Sequence, residues 1–239
     1  MSEFFEGIEE YNNVGALFGL DGLEGEELLG ALRKMNPIKR AKTINRLTSN
    51  PGVSRGSRAE MEKHFGELPP HIAEGLKKGD LRLADTIIYS IKKVSSKTIK
   101  MFETQDTKAI GLTSLSGAKL PKNQALLVSG IIVLAGVPVD GTPEKIMAAT
   151  YDKIESYPAI CTGEFNIKAN KKVIVPESSM TLFKTGNNTT IPVGYYKLSN
   201  PRLIHDDILI EATIELGSME GIDPKTCLYL GLHGTITTP

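Results

Sequence analysis

His205, Asp206 and Asp207 follow one another in a chain of 239 residues, the one point where an imidazole and carboxylates are immediate neighbours. Such a trio can move a proton, or join a metal site when another ligand comes within reach. The remaining histidines, His64, His71 and His233, form no H-x-H or H-x₃-H pair with it or with each other. The spacing therefore predicts a polar turn leading into a strand, not a metal or catalytic centre. Cys161 and Cys227 are too few and too far apart for a disulfide framework or a zinc site and read as buried thiols. Glu164, Glu211 and Glu215 fall in predicted strands. A glycosidase-type carboxylate pair drawn from distant strands would leave no spacing to read, but solvated charge on strand faces is the simpler account. No G-x-S-x-G elbow or glycine-rich phosphate loop occurs, and "GLTSLSG" at 111–117 resembles the elbow only in composition. We therefore expect no enzymatic activity, no cofactor, no metal and no small-molecule substrate.

The strongest signal is electrostatic. Residues 33–58 carry Arg33, Lys34, Lys39, Arg40, Lys42, Arg46, Arg55 and Arg58 and no acid, whereas residues 1–27 carry eight acids and no base. Residues 60–239 hold twenty of each sign, interspersed, and the net charge is zero. Any attraction to nucleic acid or to an anionic membrane must then be local to the basic block. Clustered bases without aromatic neighbours suit contact with phosphates, of a genome or of lipid head groups, without base readout. Two other readings stay open: a solvated helical face, and pairing with the acidic block of the same or a neighbouring subunit.

The elements that must hold these residues change character along the chain. Leu28, Leu32 and Met35 make one helical stripe; Asn36 and Pro37 then start a second helix with Ile38, Ile44 and Leu47 on its inner side and Lys39, Arg40, Lys42 and Arg46 outside. Ser57 and Glu60 have capping-box spacing for a third helix through Met61 and Phe65, and residues 69–79 predict a fourth closed by Gly79. Helices this short are marginal alone in water, so the Leu28–Leu47 stripes are expected to dock on a partner surface.

From residue 81 the period becomes two. In "LRLADTIIYSIKK" the odd positions Leu81, Leu83, Ile87, Tyr89 and Ile91 are apolar, the alternation of a half-buried strand. Further strands are expected at 97–104, 124–135, 159–168, 171–176, 180–185, 191–198, 203–216 and 226–237, about nine in all. The clearest put Ile208, Ile210, Ala212, Ile214 and Leu216, and Leu228, Leu230, Leu232 and Ile236, on one face each. The apolar run "ALLVSGIIVLAGVPV" is shorter than the roughly 20 residues of a membrane-spanning helix and reads as a strand buried on both faces. One helix, at 142–154 with Thr142 as cap, interrupts the series. Strands without regular helical alternation predict a mainly β fold, an antiparallel β-sandwich over 81–239, preceded by a short helical N-terminal arm over 1–80. The acidic amino terminus is unlike a signal peptide, which predicts cytosolic synthesis and reduces the sequons at Asn187 and Asn188 to a polar turn. Without tryptophan, a sugar-stacking platform is disfavoured.

A helical arm ahead of an eight- or nine-stranded antiparallel body is similar to the jelly-roll capsid proteins of icosahedral viruses. Residues 85–133, "DTIIYSIKKVSSKTIKMFETQDTKAIGLTSLSGAKLPKNQALLVSGIIV", resemble more narrowly the structural proteins of tail-less, membrane-containing icosahedral bacteriophages. In these a strand, a Phe-containing strand, a Gly-Leu-Thr loop and a Leu-Pro turn lead into a long apolar strand. The resemblance covers about a fifth of the chain and implies a capsid shell subunit (major, vertex or minor) located in the virion after synthesis in the host cytoplasm. It also implies many copies of the chain, contact with other capsid proteins, and an arm lying on the inner face or under neighbours, where it meets nucleic acid or an internal membrane. The chain length fits a single jelly roll better than the double one common among such phages. A non-viral β-sandwich binding module and a hydrolase with an unrecognised carboxylate site are the alternatives.

Overall fold

The computed structural model describes Asn36, residues 56–185 and residues 191–239. The chain divides into two compact units, Met1–Ser54 and Arg55–Pro239, and the described strands belong to the second. Its strands are β1 (Arg82–Lys93), β2 (Thr98–Lys100), β3 (Ala125–Gly136), β4 (Glu164–Ala169), β5 (Lys172–Ser179), β6 (Tyr195–His205), β7 (Ile210–Glu215) and β8 (Cys227–Thr238). They form two four-stranded sheets, ordered β1-β8-β3-β6 and β2-β7-β4-β5, and every pairing is antiparallel. The first sheet contributes Ile88, Val128, Ile131, Val133, Leu228, Leu230 and Leu232 to the core, and the second contributes Ile99, Phe165, Ile167, Ile210, Ala212 and Ile214. The two inner faces thus close one β-sandwich, as period-2 patterning requires. Phe165 and Phe183, with ring centroids 4.8 Å apart, are its largest buried pair.

The pairing is nested. β1 joins β8, β2 joins β7, β3 joins β6 and β4 joins β5, while β8–β3 and β7–β4 contacts knit the pairs into sheets. At the innermost pair the chain turns on Asn170 and Lys171, both at positive φ (46° and 67°), the twist that a two-residue hairpin needs.

Several boundaries differ from the sequence expectation, each for a local reason. Residues 203–216 are two strands, because the chain turns at Asp206–Asp207 with Asp207 at φ 61°. Residues 180–185 are not a strand: Met180–Phe183 is a 3₁₀ turn begun by the Ser179 hydroxyl, which accepts from the Thr181 amide. It buries Met180 and Phe183, three apart, and leaves Leu182 outside. The start of 203–216 continues the expected 191–198 strand as β6, so the described residues form eight strands. The expected 142–154 helix is only Pro143–Met147 (α3 below), since Asp152 pairs its backbone with Ala135 at the sheet edge. Thr142 makes no side-chain cap; Asp140 instead accepts from both its amide and its hydroxyl. Residues 158–161 form a helical turn before β4.

Of the helices, α1 (Gly56–Lys63) and α2 (Pro70–Lys78) precede β1, and α3 (Pro143–Met147) follows β3. Phe65 falls beyond α1, in a 3₁₀ turn over Phe65–Glu67. Gly79 closes α2 in the left-handed conformation, φ 84°, as expected for its position.

Candidate functional site

The outer face of the first sheet is built as rows that the strand registers fix. A strand alternating as β1 does would ordinarily bury its odd side, but here the even residues Ile88 and Ser90 are buried in the sandwich and the odd, more apolar ones point outward. Two rows, Leu83–Thr237–Ala125 and Asp85–Thr235–Leu127–Leu203, lie at the end nearer the chain start of β1. α1 and α2 cover their apolar members and leave Asp85 at the sheet edge exposed. Met61, Leu68 and Ile72 pack with Ala73 and Leu76 against Leu81, Leu83, Ala125, Leu127 and Leu203, forming a second apolar cluster outside the sandwich. Met61 and Ile72 are wholly buried there.

Past these rows the register of β3 against both neighbours slips between Val128 and Gly130. Against β8, Ser129 is the extra residue, a bulge that bends the sheet; against β6 the extra residues are in β6 itself, where Leu198, Ser199, Asn200 and Pro201 stand against Ser129 alone. Three further outward rows follow: Ile87–His233–Gly130–Lys197, Tyr89–Gly231–Ile132–Tyr195 and Ile91–Tyr229–Leu134. Aromatic rings level this half. Tyr89 and Tyr229 stack at 5.8 Å with 14° between planes, Tyr151 leans on Tyr229 at 6.4 Å, and Tyr195 meets His233 edge-on at 5.7 Å. The Tyr195 ring lies where a side chain at Gly130 would stand, and Ile87 comes within 2.9 Å of where a Cβ on Gly231 would be. Both glycines are thus roofed by neighbours.

The hydroxyls of Tyr151, Tyr195 and Tyr229 are held neutral. Burial and the nearby Cys227 push Tyr151 up to about 12, and burial also raises Tyr195 and Tyr229, the latter with a contribution from Tyr89. Tyr89 Oη accepts from the Gly111 amide at 3.0 Å, and Tyr151 Oη donates to the Ile146 carbonyl at 3.0 Å. The rim is apolar too, with Ile87 39%, Met147 45% and Ile110 88% exposed. Apart from His233 and Lys197 in its first row, this half-face is aliphatic and aromatic, and such a surface can bury area against another apolar one.

The histidine–aspartate turn does structural work. Asp206 is 3% exposed and accepts from His71 Nε2 at 3.0 Å and from the Asn123 amide at 2.8 Å. His205 Nδ1 donates to the Asp206 carbonyl at 2.9 Å. Burial pushes the Asp206 carboxyl up, but the Asn123 amide and His71 together outweigh it and hold it below the usual range. The carboxylate therefore staples α2 and the loop before β3 to the β6–β7 turn. A second ionic knot, Lys92 with Asp106 at 2.6 Å and Glu103 at 2.9 Å, ties the end of β1 to the turn after β2. Glu164 and Glu215 stand directly opposite on β4 and β7, with Glu211 opposite Lys168, all on the outer face of the second sheet. Both cysteines are free and buried. Among the described residues no three metal-ligating side chains come together, and no helix is long and apolar enough to cross a membrane.

Arg33, Lys34, Lys39, Arg40, Lys42, Arg46 and Arg55, the docking residues Leu28, Leu32, Met35, Ile38, Ile44 and Leu47, and the sequons at Asn187 and Asn188 lie outside the described residues. Arg58 falls in α1, and its side chain is not among those described. The sequence reading passed over the tyrosine half-face. Its signal was present: Tyr89 and Tyr229 sit on the same parity as Ile87 and Ile91, and as Gly231 and His233. No protein-family model and no curated protein matches the chain.

Proposed function

We propose that the chain is a structural subunit of an icosahedral viral shell, a single jelly roll that assembles with further copies of itself and with other shell proteins in the virion. The observation that carries this reading is the nested pairing β1–β8, β2–β7, β3–β6 and β4–β5, distributed as β1-β8-β3-β6 over β2-β7-β4-β5. That order results when one long antiparallel hairpin is rolled into two sheets, which is the jelly-roll plan of capsid proteins, lectins and cupins. Fold alone does not choose among those roles. Two features favour the shell: an apolar half-face on the outside of the sandwich, and a leading segment with separated acidic and basic blocks that makes neighbouring copies complementary.

Electron microscopy of the purified full chain is expected to show closed particles or ordered lattices. A protein that stays monomeric over a wide concentration range sinks the reading. The role of the basic block is tested separately by changing Lys39, Arg40, Lys42 and Arg46 to Gln. If those bases contact phosphates, nucleic-acid binding by the parent chain falls with salt at a log–log slope of roughly −0.7 to −0.9 per neutralised phosphate, and the substitutions flatten it. Smaller particles with unchanged binding assign the block to intersubunit pairing instead.

A further inference from the structure

We propose that the open half of the first sheet's outer face, formed by Ile87, Tyr89, Ile132, Leu134, Tyr195 and Tyr229, is the docking surface for the amphipathic segment 28–47 of a neighbouring copy of this chain. The choice of a neighbour rests on the shell-subunit reading. The choice of surface and occupant rests on the sheet and the sequence.

The sheet face is constructed to carry helices. Its first half already does so, with Met61, Leu68 and Ile72 seated on Leu83, Ala125, Leu127 and Leu203. Beyond the Ser129 bulge the outward residues are mostly of the same apolar kind, His233 and Lys197 excepted, yet Ile87 is 39% exposed and Ile110 and Met147 at the rim are more so. The outer face of the other sheet is mainly charged, with Lys100, Glu164, Lys168, Glu211 and Glu215, and carries one exposed apolar side chain, Val173, opposite Lys168. A face so different from it is made to be covered.

The chain that leads into α1 supplies a matching occupant. The 55 residues ahead of Gly56 include two stripes, Leu28–Leu32–Met35 and Ile38–Ile44–Leu47, at helical spacing and of the residue types that α1 and α2 use. The helices that the spacing of these stripes predicts, eight and ten residues long, would measure roughly 12–15 Å. Four strands span roughly 14 Å from first to last, so one such helix crosses the sheet from β1 to β6. With both central glycines roofed, the surface is level enough for helical side chains to lie across it.

The test mixes two full-length copies carrying different tags, one with Ile87→Cys and the other with Leu28→Cys, Leu32→Cys or Ile44→Cys in turn, under mild oxidation. The native Cys161 and Cys227 are buried and do not compete. Ile87 is a surface position, and an unchanged far-ultraviolet spectrum verifies the fold of each variant. A disulfide joining differently tagged chains for at least one pair is the expected result. Particles that form with no cross-link from any pair overturn the surface while leaving the shell reading intact. A Leu32→Cys/Ile87→Cys double variant that closes its disulfide within one chain, without gain in mass, overturns the assignment to a neighbour. Failure to form particles at all is read by electron microscopy and counts against the shell reading as well.

Discussion

The two sheets of the sandwich have equivalent inner faces and opposite outer ones. On the second sheet the outward positions of β7 and β4 are Glu211, Thr213, Glu215, Glu164, Asn166 and Lys168. On the first they are Ile87, Tyr89, Ile91, Ile132, Leu134, Tyr195 and Tyr229, with His233 and Lys197, after two rows roofed by α1 and α2. Inner faces report the fold, because any sandwich must fill its core. Outer faces report the surroundings, because only there is the chain free to choose water or a partner.

Three substitutions sharpen that contrast, in descending order of effect. Ile72→Ala removes a wholly buried side chain from the roofed half, and urea unfolding is expected to show a loss of about 2–5 kcal/mol. Asp206→Asn breaks the staple that holds α2 over the sheet and is expected to cost roughly 1.5–3 kcal/mol at pH 7, the scale of hydrogen bonds to a charged group. The sign of its pH dependence follows from the direction of the shift. With the folded carboxyl held below its unfolded value near about 3.9, the contribution is complete above about pH 4 and disappears as pH falls through the lower folded value. Denaturation curves between pH 7 and pH 2 should therefore be steeper in acid for the parent protein than for Asp206→Asn. On the watery face, Glu164→Lys turns a like-charge cross-strand pair with Glu215 into an attractive one, and a gain of about 0.2–1 kcal/mol is expected.

The same contrast explains what could be read from the sequence. β8 was legible in phase and in extent, and β7 in phase only, because the expected strand at 203–216 ran on into what is the end of β6. In β7 one side faces water as Glu211, Thr213 and Glu215, and in β8 every leucine is inside. β3 was legible only as a strand, because residues buried on both sides carry no phase, and the Ser129 bulge that resets its parity leaves no mark in an apolar run. β1 was legible with its faces exchanged. Its outward side is the more apolar one, and the inward side is diluted by Ala84, Thr86 and Ser90. The tyrosine half-face was hidden by that exchange. The Asp206 staple was hidden differently, since His71 and Asn123 are brought to it from 135 and 83 residues away. The 180–185 segment failed through period: a stretch as short as Met180–Phe183 can be read at two or at three residues, and burial of Met180 and Phe183 settled it at three.

The central claim is that the open half of the first sheet's outer face is a contact surface between copies and the second sheet's outer face is not. The direct measurement is sedimentation velocity of the full chain beside two variants with one added charge each, Ile87→Lys on the first face and Thr213→Lys on the second. The account predicts that the parent and Thr213→Lys sediment as the same large assembly, while Ile87→Lys shifts to smaller species with an unchanged far-ultraviolet spectrum. Equal sedimentation of Ile87→Lys and Thr213→Lys, whether both assembled or both dissociated, would contradict it.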